Sequence, residues 1–598
     1  MNENDNSEIS IIEQLTHQNR EATKHDFSSM ELSPDIENAQ SVLDPELIND
    51  AQKAHLSEFF EAHLSRRFQG LFKKMSASQI MSWQSGLIHS PLTKLSSSLE
   101  DVAVQLFKNL QSYCGERASS KKPMLHAIKH LRLTIFSPEE LKDEAYCQVL
   151  KQITNNPSTE RCLKAWNFLA LMASSYPPSS DLYYPLINYL LEIMKGADTN
   201  LIQRANYISV RLMKTFECKR KLPPCEEEIR HIEEMKPIMI QVYFFSGAST
   251  NMPIESYTTI RELKTAVMKK LQLNISRIPY YGLYEICDKP KWIEERYLDE
   301  GDRITDILAV WAKEKANHEK DGIQIDFKMF LKIQLFYSYN PEDIDNVTMS
   351  FVQTNFDVIN GKFKLDPKTI VELGAVSLYV NHGTKSHEEV YQIVKSEIKD
   401  YIPNNVLKLS EADSWANKIM DEYTTLQFNT TLQAKNKYLD ILKNNDMWQA
   451  TQFYCKFSKK LNTELTNSLG QKNPDHITDE CIVAVKPHEV LIMDKERNEL
   501  LRLPFNQIAS WGVNADIFVI VSKKSEKEYC KYYFECNQSK LFKITIDSYT
   551  GLLSGKNMVE IMTQCNETCK MFESLPAAKL NPGETLRSRQ ATVYMKPE

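Results

Sequence analysis

The hydrophobic period of this sequence changes three times, and the order of those changes restricts the fold more than any other feature. Residues 46–225 repeat an apolar residue every three or four positions almost throughout, which is typical of amphipathic helices. From about residue 236, PIMIQVYFFSGASTNMPIES alternates with a period of two, as a β-hairpin does. Residues 327–445 return to the helical period, and residues 448–536 give short strands before a candidate helix from about 538 to 553. Because 598 residues are too many for a single core, these changes predict separate domains.

The pattern within each segment predicts its architecture. The first is an all-α domain of stacked helices, in which Gly115 closes one helix and Pro177 ends another. The hairpin leads into TTIRELKTAVMKKLQL, an amphipathic helix with a threonine cap, and this order begins a ubiquitin-like β-grasp. Many short strands closed by one helix predict a pleckstrin-homology-like β-sandwich. We place a disordered acidic segment at 1–45, the helical domain at 46–235, three further units at 236–320, 321–445 and 446–573, and a flexible tail at 574–598.

The charge is distributed unevenly. The chain has a net charge of −7, but Lys and Arg exceed Asp and Glu by 7 over residues 46–225, whereas residues 1–45 carry −8. A basic block within an acidic chain indicates an acidic partner surface. No apolar run approaches the ~20 residues of a membrane span. The polar start MNENDNSEIS is not a signal peptide, and the scattered cysteines are typical of a reduced cytosolic protein.

The segment SPEELKDEAYCQVLKQITNNP, residues 137–157, places a cysteine near a tyrosine and several carboxylates, yet its pattern favours a scaffold helix over an active site. Ser137 and Glu140 have the spacing of a capping box. The apolar residues fall on one half of the helix, and no histidine in the segment could hold Cys147 as a thiolate. Three charged residues are predicted to face the other way: Asp143, Glu144 and Lys151.

Motifs for other chemistry are incomplete. GLLSGKNMV (551–559) has three residues between its glycines where a P-loop needs four, and Asn557 stands where a Ser or Thr would bind magnesium. His126 and His130 share a helix face, but a zinc site of this spacing needs a third ligand, so structural histidines are expected. We therefore predict a protein that is not an enzyme, with no catalytic residues, no metal and no cofactor.

Two longer segments resemble known families. LKDEAYCQVLKQITNNPSTERCLKAWNFLALMASSYPPSSDLYYPLINYLL resembles the myosin tail homology 4 domain, through its acidic-Tyr-x-Gln helix, Asn-Pro stop, tryptophan helix and Pro-Pro-Ser turn. VTMSFVQTNFDVINGKFKLDPKTIVELGAVSLYVNHG is similar to the central lobe of FERM domains, and HEEVYQIVKSEIKDYIP to its continuation. The resemblance implies a multidomain fold, an all-α helical bundle followed by a three-lobed FERM cloverleaf, over residues 46 to about 573.

This tandem occurs in the tails of unconventional myosins, notably those similar to classes VII, X and XV, and in some plant kinesins. The resemblance implies a non-enzymatic cargo- and cytoskeleton-binding tail module, located in the cytoplasm at the cytoskeleton or cell cortex. The implied partners are cytoplasmic tails of adhesion receptors, adaptor or adhesion proteins such as talin-like proteins, tubulin, and a myosin motor domain in autoinhibition. The alternative is a lipid-recruited FERM linker between membrane and cortex.

The basic block contains two clusters that could meet an acidic partner. They comprise Lys121, Lys122, Lys129, His130, Arg132, Lys219, Arg220 and Lys221. Ordinary solvated charges at helix ends are the competing interpretation, while the resemblance points to the acidic tails of tubulin. Nucleic acid is the general alternative for a basic helix, but no aromatic residues are interleaved here.

The third lobe and the C-terminal tail carry the remaining candidates. In FERM-like sandwiches partners dock between an exposed strand and the last helix, and strand addition supplies main-chain bonds. The matching strand here is IFVIVSK (517–523). The candidate residues for such a groove are Ile517, Phe518, Val519, Ile520, Leu541, Ile544 and Tyr549, which could alternatively form only the core of the lobe. By resemblance, Arg587 and Arg589 are candidates for a regulatory contact with a motor domain.

Overall fold

A computed structural model describes residues 33–35, 41–65, 68–69, 73–289, 292–336, 339–383, 385–458, 477–514, 516–524, 529–554 and 591–595. The helical domain contains α1 (Pro45–Ala51), α2 (Leu56–His63), α3 (Ala77–Met81), α4 (Ser97–Cys114), α5 (Pro123–Thr134), α6 (Glu139–Ile153), α7 (Thr159–Ser175), α8 (Ser180–Met194), α9 (Thr199–Glu217) and α10 (Glu226–Glu234). Two short strands, β1 (Phe68–Gln69) and β2 (Lys73–Lys74), pair between α2 and α3. As predicted, Gly115 ends α4 in the left-handed conformation, with a φ of 80°.

Helix α6 is a buried scaffold helix, as the sequence of residues 137–157 predicts. Cys147 is fully buried, and burial raises the pKa of its thiol well above the ordinary value, which disfavours the nucleophilic thiolate. The predicted capping box is wrong. The Ser137 hydroxyl instead donates to the Leu133 carbonyl oxygen at 2.5 Å, and α6 begins at Glu139.

The charged residues of α6 are buried rather than solvent-facing, which corrects the prediction. The Glu144 carboxylate accepts hydrogen bonds from the backbone N–H groups of Leu92 (2.9 Å) and Thr93 (2.7 Å). The Asp143 carboxylate accepts bonds from the N–H and hydroxyl of the residue that precedes α8. The Lys151 ammonium donates to two backbone carbonyls at and after the end of α3. These side chains satisfy backbone groups of buried loops, so α6 holds its neighbours through both of its faces.

The first lobe is a β-grasp. It contains β3 (Ile238–Tyr243), β4 (Ser249–Ile254), α11 (Ile260–Lys270), a 3₁₀ turn (Ile275–Tyr280), β5 (Tyr281–Asp288), β6 (Trp292–Tyr297), α12 (Ile304–Lys320) and β7 (Asp326–Ile333). As predicted, Thr259 caps α11, in a capping box with Glu262. Strand β7 pairs in parallel with β3 and antiparallel with β5. The first lobe therefore extends past the predicted end at residue 320, and the helical period begins only after β7.

Both ends of the chain carry ordered segments where none were predicted. Strand β15 (Ala591–Met595) pairs antiparallel with β6, which gives the sheet order β15-β6-β5-β7-β3-β4. The prediction of a flexible tail is thus wrong for residues 591–595. At the other end, Ser33 and Asp35 are buried against the folded domains, which corrects the predicted disorder of residues 1–45 at these positions. Residues 1–32 and the remainder of 574–598 lie outside the described residues.

The second lobe is helical. It contains α13 (Ile344–Ile359), α14 (Pro367–His382), α15 (His387–Ser396), a 3₁₀ turn (Ile398–Asp400), α16 (Asn404–Leu407), α17 (Ala412–Tyr423) and α18 (Thr431–Leu442). Its central helix α14 contributes to two apolar clusters, one with α15 and α17 and one with α13 and α18. Among the described residues no helix combines the length and apolarity that crossing a bilayer requires.

The third lobe is a β-sandwich closed by one helix, as predicted. It contains β8 (Thr451–Phe457), β9 (Glu480–Val485), β10 (Glu489–Met493), β11 (Glu499–Pro504), a 3₁₀ turn (Phe505–Gln507), β12 (Ile508–Asn514), β13 (Ile517–Lys523), β14 (Tyr529–Glu535) and α19 (Ser539–Leu553). The strand order is β11-β10-β9-β8-β14-β13-β12. Among the described strands, β11 and β12 are therefore the two edges of this sheet.

The three lobes contact one another in pairs. The first and second are joined by Gln353, whose side-chain amide bonds both the N–H and the carbonyl of Ile333, at 2.7 and 2.9 Å. The first and third are joined by an ion pair between Asp299 and Lys540. Arg502 of β11 reaches the loop after α18, and this contact joins the third lobe to the end of the second. The lobes thus form the three-leaved arrangement expected from the sequence.

Candidate functional site

The exposed strand of the third lobe is β12 rather than the predicted segment 517–523. Strand β13 pairs with β12 on one side and with β14 on the other, so its main-chain groups are not available to a partner strand. Among the strands that the structure describes, β12 pairs with β13 alone, and it lies beside helix α19. The indole Nε1 of Trp511 donates to the Asp547 carboxylate at 2.6 Å, and Asp547 also pairs with Lys543. The predicted exposed strand, residues 517–523, is thus an inner strand of the sheet.

The predicted groove residues mostly form the core of the lobe. Phe518 stacks on Phe542 with ring centroids 3.8 Å apart. The Tyr549 hydroxyl accepts a hydrogen bond from the backbone N–H of Phe336 at 2.9 Å. Buried members of the predicted set are Phe518, Ile520, Leu541, Ile544 and Tyr549, whereas Ile517 and Val519 are half-buried. For the buried members, the competing interpretation is correct, because they form the hydrophobic core of the third lobe.

The basic clusters of the helical domain divide into surface and interior residues. Four of the predicted positions at the start and along the outer face of α5 are exposed: Lys121, Lys122, Lys129 and Arg132. Lys219 is exposed at the end of α9. Partial burial lowers the pKa of His126, and the charges of Lys121, Lys129 and Arg117 lower it further, so these cations lie close together. Apolar side chains are exposed nearby, with Leu125 at 42% and Phe136 at 61%.

The other predicted basic residues serve the fold, which removes them from the candidate surface. Arg220 is buried and pairs with Glu228 and with Asp306 of the first lobe. Its neighbour Lys221 pairs with Asp302 at 2.6 Å. Because these carboxylates already neutralise them, Arg220 and Lys221 link the helical domain to the first lobe instead of facing a partner.

His130 is also an interior residue. Its Nδ1 donates to the Leu106 carbonyl oxygen at 3.2 Å, and its ring packs edge-on against Phe168 at 4.8 Å. Burial lowers the pKa of His130 to about 3, so the ring is neutral. Among the described residues no group of three or more His, Cys, Asp and Glu side chains is placed to hold a metal ion.

A buried ionic junction joins the N-terminal segment, the helical domain and the first lobe. The Arg211 guanidinium is fully buried, donates to the Asp35 carboxylate at 2.9 Å, and pairs with Glu255. It lies 3.1 Å from the centre of the Tyr207 ring. The Tyr257 hydroxyl donates to Asp35 at 3.0 Å. A second link runs from Arg303 of the first lobe to backbone carbonyls of α7 and of the residue after α9.

Two predicted regulatory residues cannot be placed. Arg587 and Arg589 lie outside the described residues, as does Asn557 of the P-loop-like segment. The described part of that segment, up to Ser554, is the end of α19 and the residue after it.

Comparison with protein families assigns each of these units. The MyTH4 domain matches residues 128–231, the RA like domain 236–335, the FERM central domain 340–453, and the PTB domain (IRS-1 type) 467–554. The chain carries MyTH4 and FERM domains in tandem. The predicted resemblance and fold class are confirmed. MyTH4-FERM domains are non-catalytic tail modules.

Curated relatives of this MyTH4-FERM chain include motor proteins. Myosin-VIIa of Drosophila melanogaster is 24% identical over 410 residues, which cover 67% of this chain and 18% of that protein. Kinesin-like protein KIN-14I of Oryza sativa subsp. japonica is 23% identical over 435 residues, which cover 69% of this chain and 35% of that protein. The chain thus spans well under half the length of these relatives.

Solved MyTH4-FERM structures share the fold. The MF1 domain of Dictyostelium discoideum myosin VII superposes with a TM-score of 0.70 at 18% identity, covering 88% of this chain and 100% of that chain. The human Myosin 7b C-terminal MyTH4-FERM domain, solved in complex with the harmonin-a PDZ3 domain, gives 0.60 at 18% identity, covering 92% and 99%. At this level of identity the likeness establishes the fold alone.

Sequence reasoning missed the Arg211 junction and the position of the third-lobe edge. The signal for the edge was available, because IASWGV precedes the predicted strand and contains no charged residue. No local signal pointed to Asp35, which lies in a polar segment whose composition is typical of disorder.

Proposed function

We propose that this chain is a non-enzymatic cargo- and cytoskeleton-binding tail module, acting in the cytoplasm at the cytoskeleton or cell cortex. The tandem of MyTH4 and FERM domains supports this proposal, as do relatives that are motor proteins. The partners proposed for the FERM lobes are cytoplasmic tails of adhesion receptors and adaptor or adhesion proteins such as talin-like proteins. The complex of human Myosin 7b with the harmonin-a PDZ3 domain adds PDZ domains as a partner class to test.

The observation that carries the proposal is the uncharged outer strand β12. In natural sheets, charged residues on the edge strands commonly prevent pairing with other chains. Strand β11, the opposite edge, follows this rule, because Glu499 and Arg502 lie within it and pair with each other. Strand β12 contains no charged residue and lies beside helix α19. This contrast supports β12 as the edge to which an extended partner segment adds.

Amide hydrogen exchange tests the proposal with an internal control. Peptides from adhesion-receptor tails are added in excess, and exchange is followed on both edge strands. We expect slower exchange across residues 508–514 and unchanged exchange across residues 499–504. Equal effects on the two edges, or none on β12 with any peptide that binds, would refute β12 as the docking strand.

The exposed cations of the helical domain support a second function, binding to the acidic surface of microtubules. Several cations facing a dense acidic surface give micromolar binding, on the order of −8 kcal/mol. Such binding weakens as salt shortens the Debye length from ~10 Å at 0.1 M. The exposed apolar residues Leu125 and Phe136 beside these cations further favour a protein surface.

Charge reversal at the surface separates binding from folding. The test variant replaces Lys121, Lys122, Lys129 and Lys219 with Glu. The matched control makes the same change at four exposed lysines of the second lobe: Lys368, Lys385, Lys399 and Lys408. We expect the test variant alone to lose co-sedimentation with microtubules at low salt. If both variants pellet like the unmodified chain, these cations are an ordinary solvated face. Vesicles containing anionic lipids in the same assay test the alternative, a lipid-recruited linker between membrane and cortex.

The predicted regulatory role of Arg587 and Arg589 stays a proposal. It requires a motor domain, and mixing the isolated motor domain with the chain would test it. An unchanged ATPase rate would remove the idea.

A further inference from the structure

The outer strand of the first lobe is paired on both sides. On its inner side β6 pairs with β5, from Tyr297 opposite Tyr284 to Ile293 opposite Asp288. On its outer side it pairs antiparallel with β15 across all five residues of that strand. Without β15, the outer main-chain groups of β6 would lack their strand partners, and such an edge is a template for another strand.

Strand β6 is held in place by contacts that do not involve β15. The Glu295 carboxylate accepts a bond from the Lys332 ammonium of β7 at 2.6 Å. Arg296 pairs with Glu285 of β5, and Glu285 also accepts a bond from the indole of Trp311 in α12. These buried pairs tie β6 to β5 and β7, and through Glu285 to α12. These contacts lie within the first lobe, so they support the β6 edge independently of the main-chain bonds to residues 591–595.

Strand β15, unlike the other strands of this sheet, comes from a distant part of the chain. It lies at the end of the sheet, and residues 555–590 separate it in sequence from the end of α19. Its sequence, ATVYM, is rich in residues that favour strands and carries no charge. Because β15 belongs to the same chain, it acts as an intramolecular ligand of the lobe. The effective concentration of such a ligand is in the ~mM range when the connection is short and flexible, and it is lower when the connection is long.

We propose that β6 is a docking site for an extended peptide and that residues 591–595 occupy this site in the resting chain. A partner strand must then displace the chain's own C-terminal segment before it binds the first lobe. Recognition rests on antiparallel main-chain hydrogen bonds and on an uncharged segment rich in β-branched and aromatic residues. This surface is separate from β12 of the third lobe and does not depend on the function proposed for that edge.

The test uses the full chain in three forms. One is unmodified, and one carries Thr592→Pro and Val593→Pro. Because neighbouring N–H groups of a strand point in opposite directions, this pair removes one donor that faces β6. The third form is the matched control, with Thr592→Val and Val593→Thr, which keeps the strand-forming composition. The probe is a fluorescent synthetic peptide of residues 589–598.

The Pro variant should bind the peptide at least tenfold more tightly than the unmodified chain or the control, since its edge is open. Amide exchange within residues 292–297 should be at least tenfold faster in the Pro variant and should slow again when peptide is added. Equal peptide binding by all three forms, no binding to the Pro variant, or unchanged exchange on β6 would overturn the proposal. Protection of β6 that is lost when the unmodified chain is diluted would assign β15 to a second copy, which also overturns it.

Discussion

Replacing Arg211 with methionine should destabilise the junction between the helical domain and the first lobe by about 3–5 kcal/mol, the cost of breaking a buried ion pair by removing one partner. The guanidinium is fully buried, and its partners Asp35 and Glu255 are 7% and 11% exposed. Methionine fills similar volume but leaves two carboxylates without a cation. Burial already raises the pKa of Glu255 with Arg211 present. The loss should therefore shrink toward acidic pH, where protonation removes the unpaired charge.

Urea unfolding followed by circular dichroism and tryptophan fluorescence measures this loss. The control is Lys214→Met on the same helix, because Lys214 pairs with Glu217 at 3.2 Å and the two side chains are 31% and 56% exposed. An exposed pair of this kind is worth about 0–1 kcal/mol. If Arg211→Met is no more destabilising than Lys214→Met, or if its effect does not depend on pH, then the junction does not carry the energy assigned to it.

Three further predictions concern a buried histidine, the N-terminal segment and the contacts between domains. Burial lowers the pKa of His130 from its ordinary value of 6.5 to about 3, so as the pH falls the imidazole is protonated in the unfolded chain before it is protonated in the folded one. The free energy of unfolding should therefore decrease below pH 6.5, by up to about 1.4 kcal/mol per pH unit. A His130→Asn variant should lack this pH-dependent loss in urea titrations at several pH values. Removing residues 1–32 should leave the melting temperature unchanged, whereas removing residues 1–40 should lower it, because only the longer truncation deletes Asp35; equal melting temperatures would contradict this. The helical domain and FERM lobes should scatter X-rays as one rigid body, since Lys221–Asp302 and the Arg303 contacts join them, and a scattering curve that requires independently moving halves would count against it.

The order of the domains was predictable because each domain has its own hydrophobic period, which the sequence displays directly. The capped helix at Thr259 and the glycine stop at Gly115 are local signals, and both are found where predicted. Strand β7 was missed because it completes the first sheet from a distant part of the chain, beside a long helical segment. Tertiary pairing, rather than local preference, decides the state of such a strand.

Buried charge explains the other errors. Glu144 and Lys151 lie on the polar side of their helix, which normally faces water, yet both are buried against loops whose backbone groups they satisfy. Arg220 looked like one of three surface cations in ECKRKLPP, and its partners Glu228 and Asp306 come from two other helices. A sequence shows the charge but not its partner, so charged residues at domain contacts resemble those of a binding surface.

The edge strands of the two large sheets differ in charge and in what covers them, and this difference affects which edges a partner strand can pair with. In the third lobe, β11 is charged and lies against the end of the second lobe through Arg502, whereas β12 is uncharged. In the first lobe, β6 carries Glu294, Glu295 and Arg296, and the chain's own strand β15 covers its outer side. An unpaired edge strand without charged residues can pair with any extended chain. Such an edge therefore either binds a partner or promotes aggregation. Under the two proposals above, the FERM unit binds one partner at β12 and a second at β6, and the second binds only when the C-terminal strand is displaced.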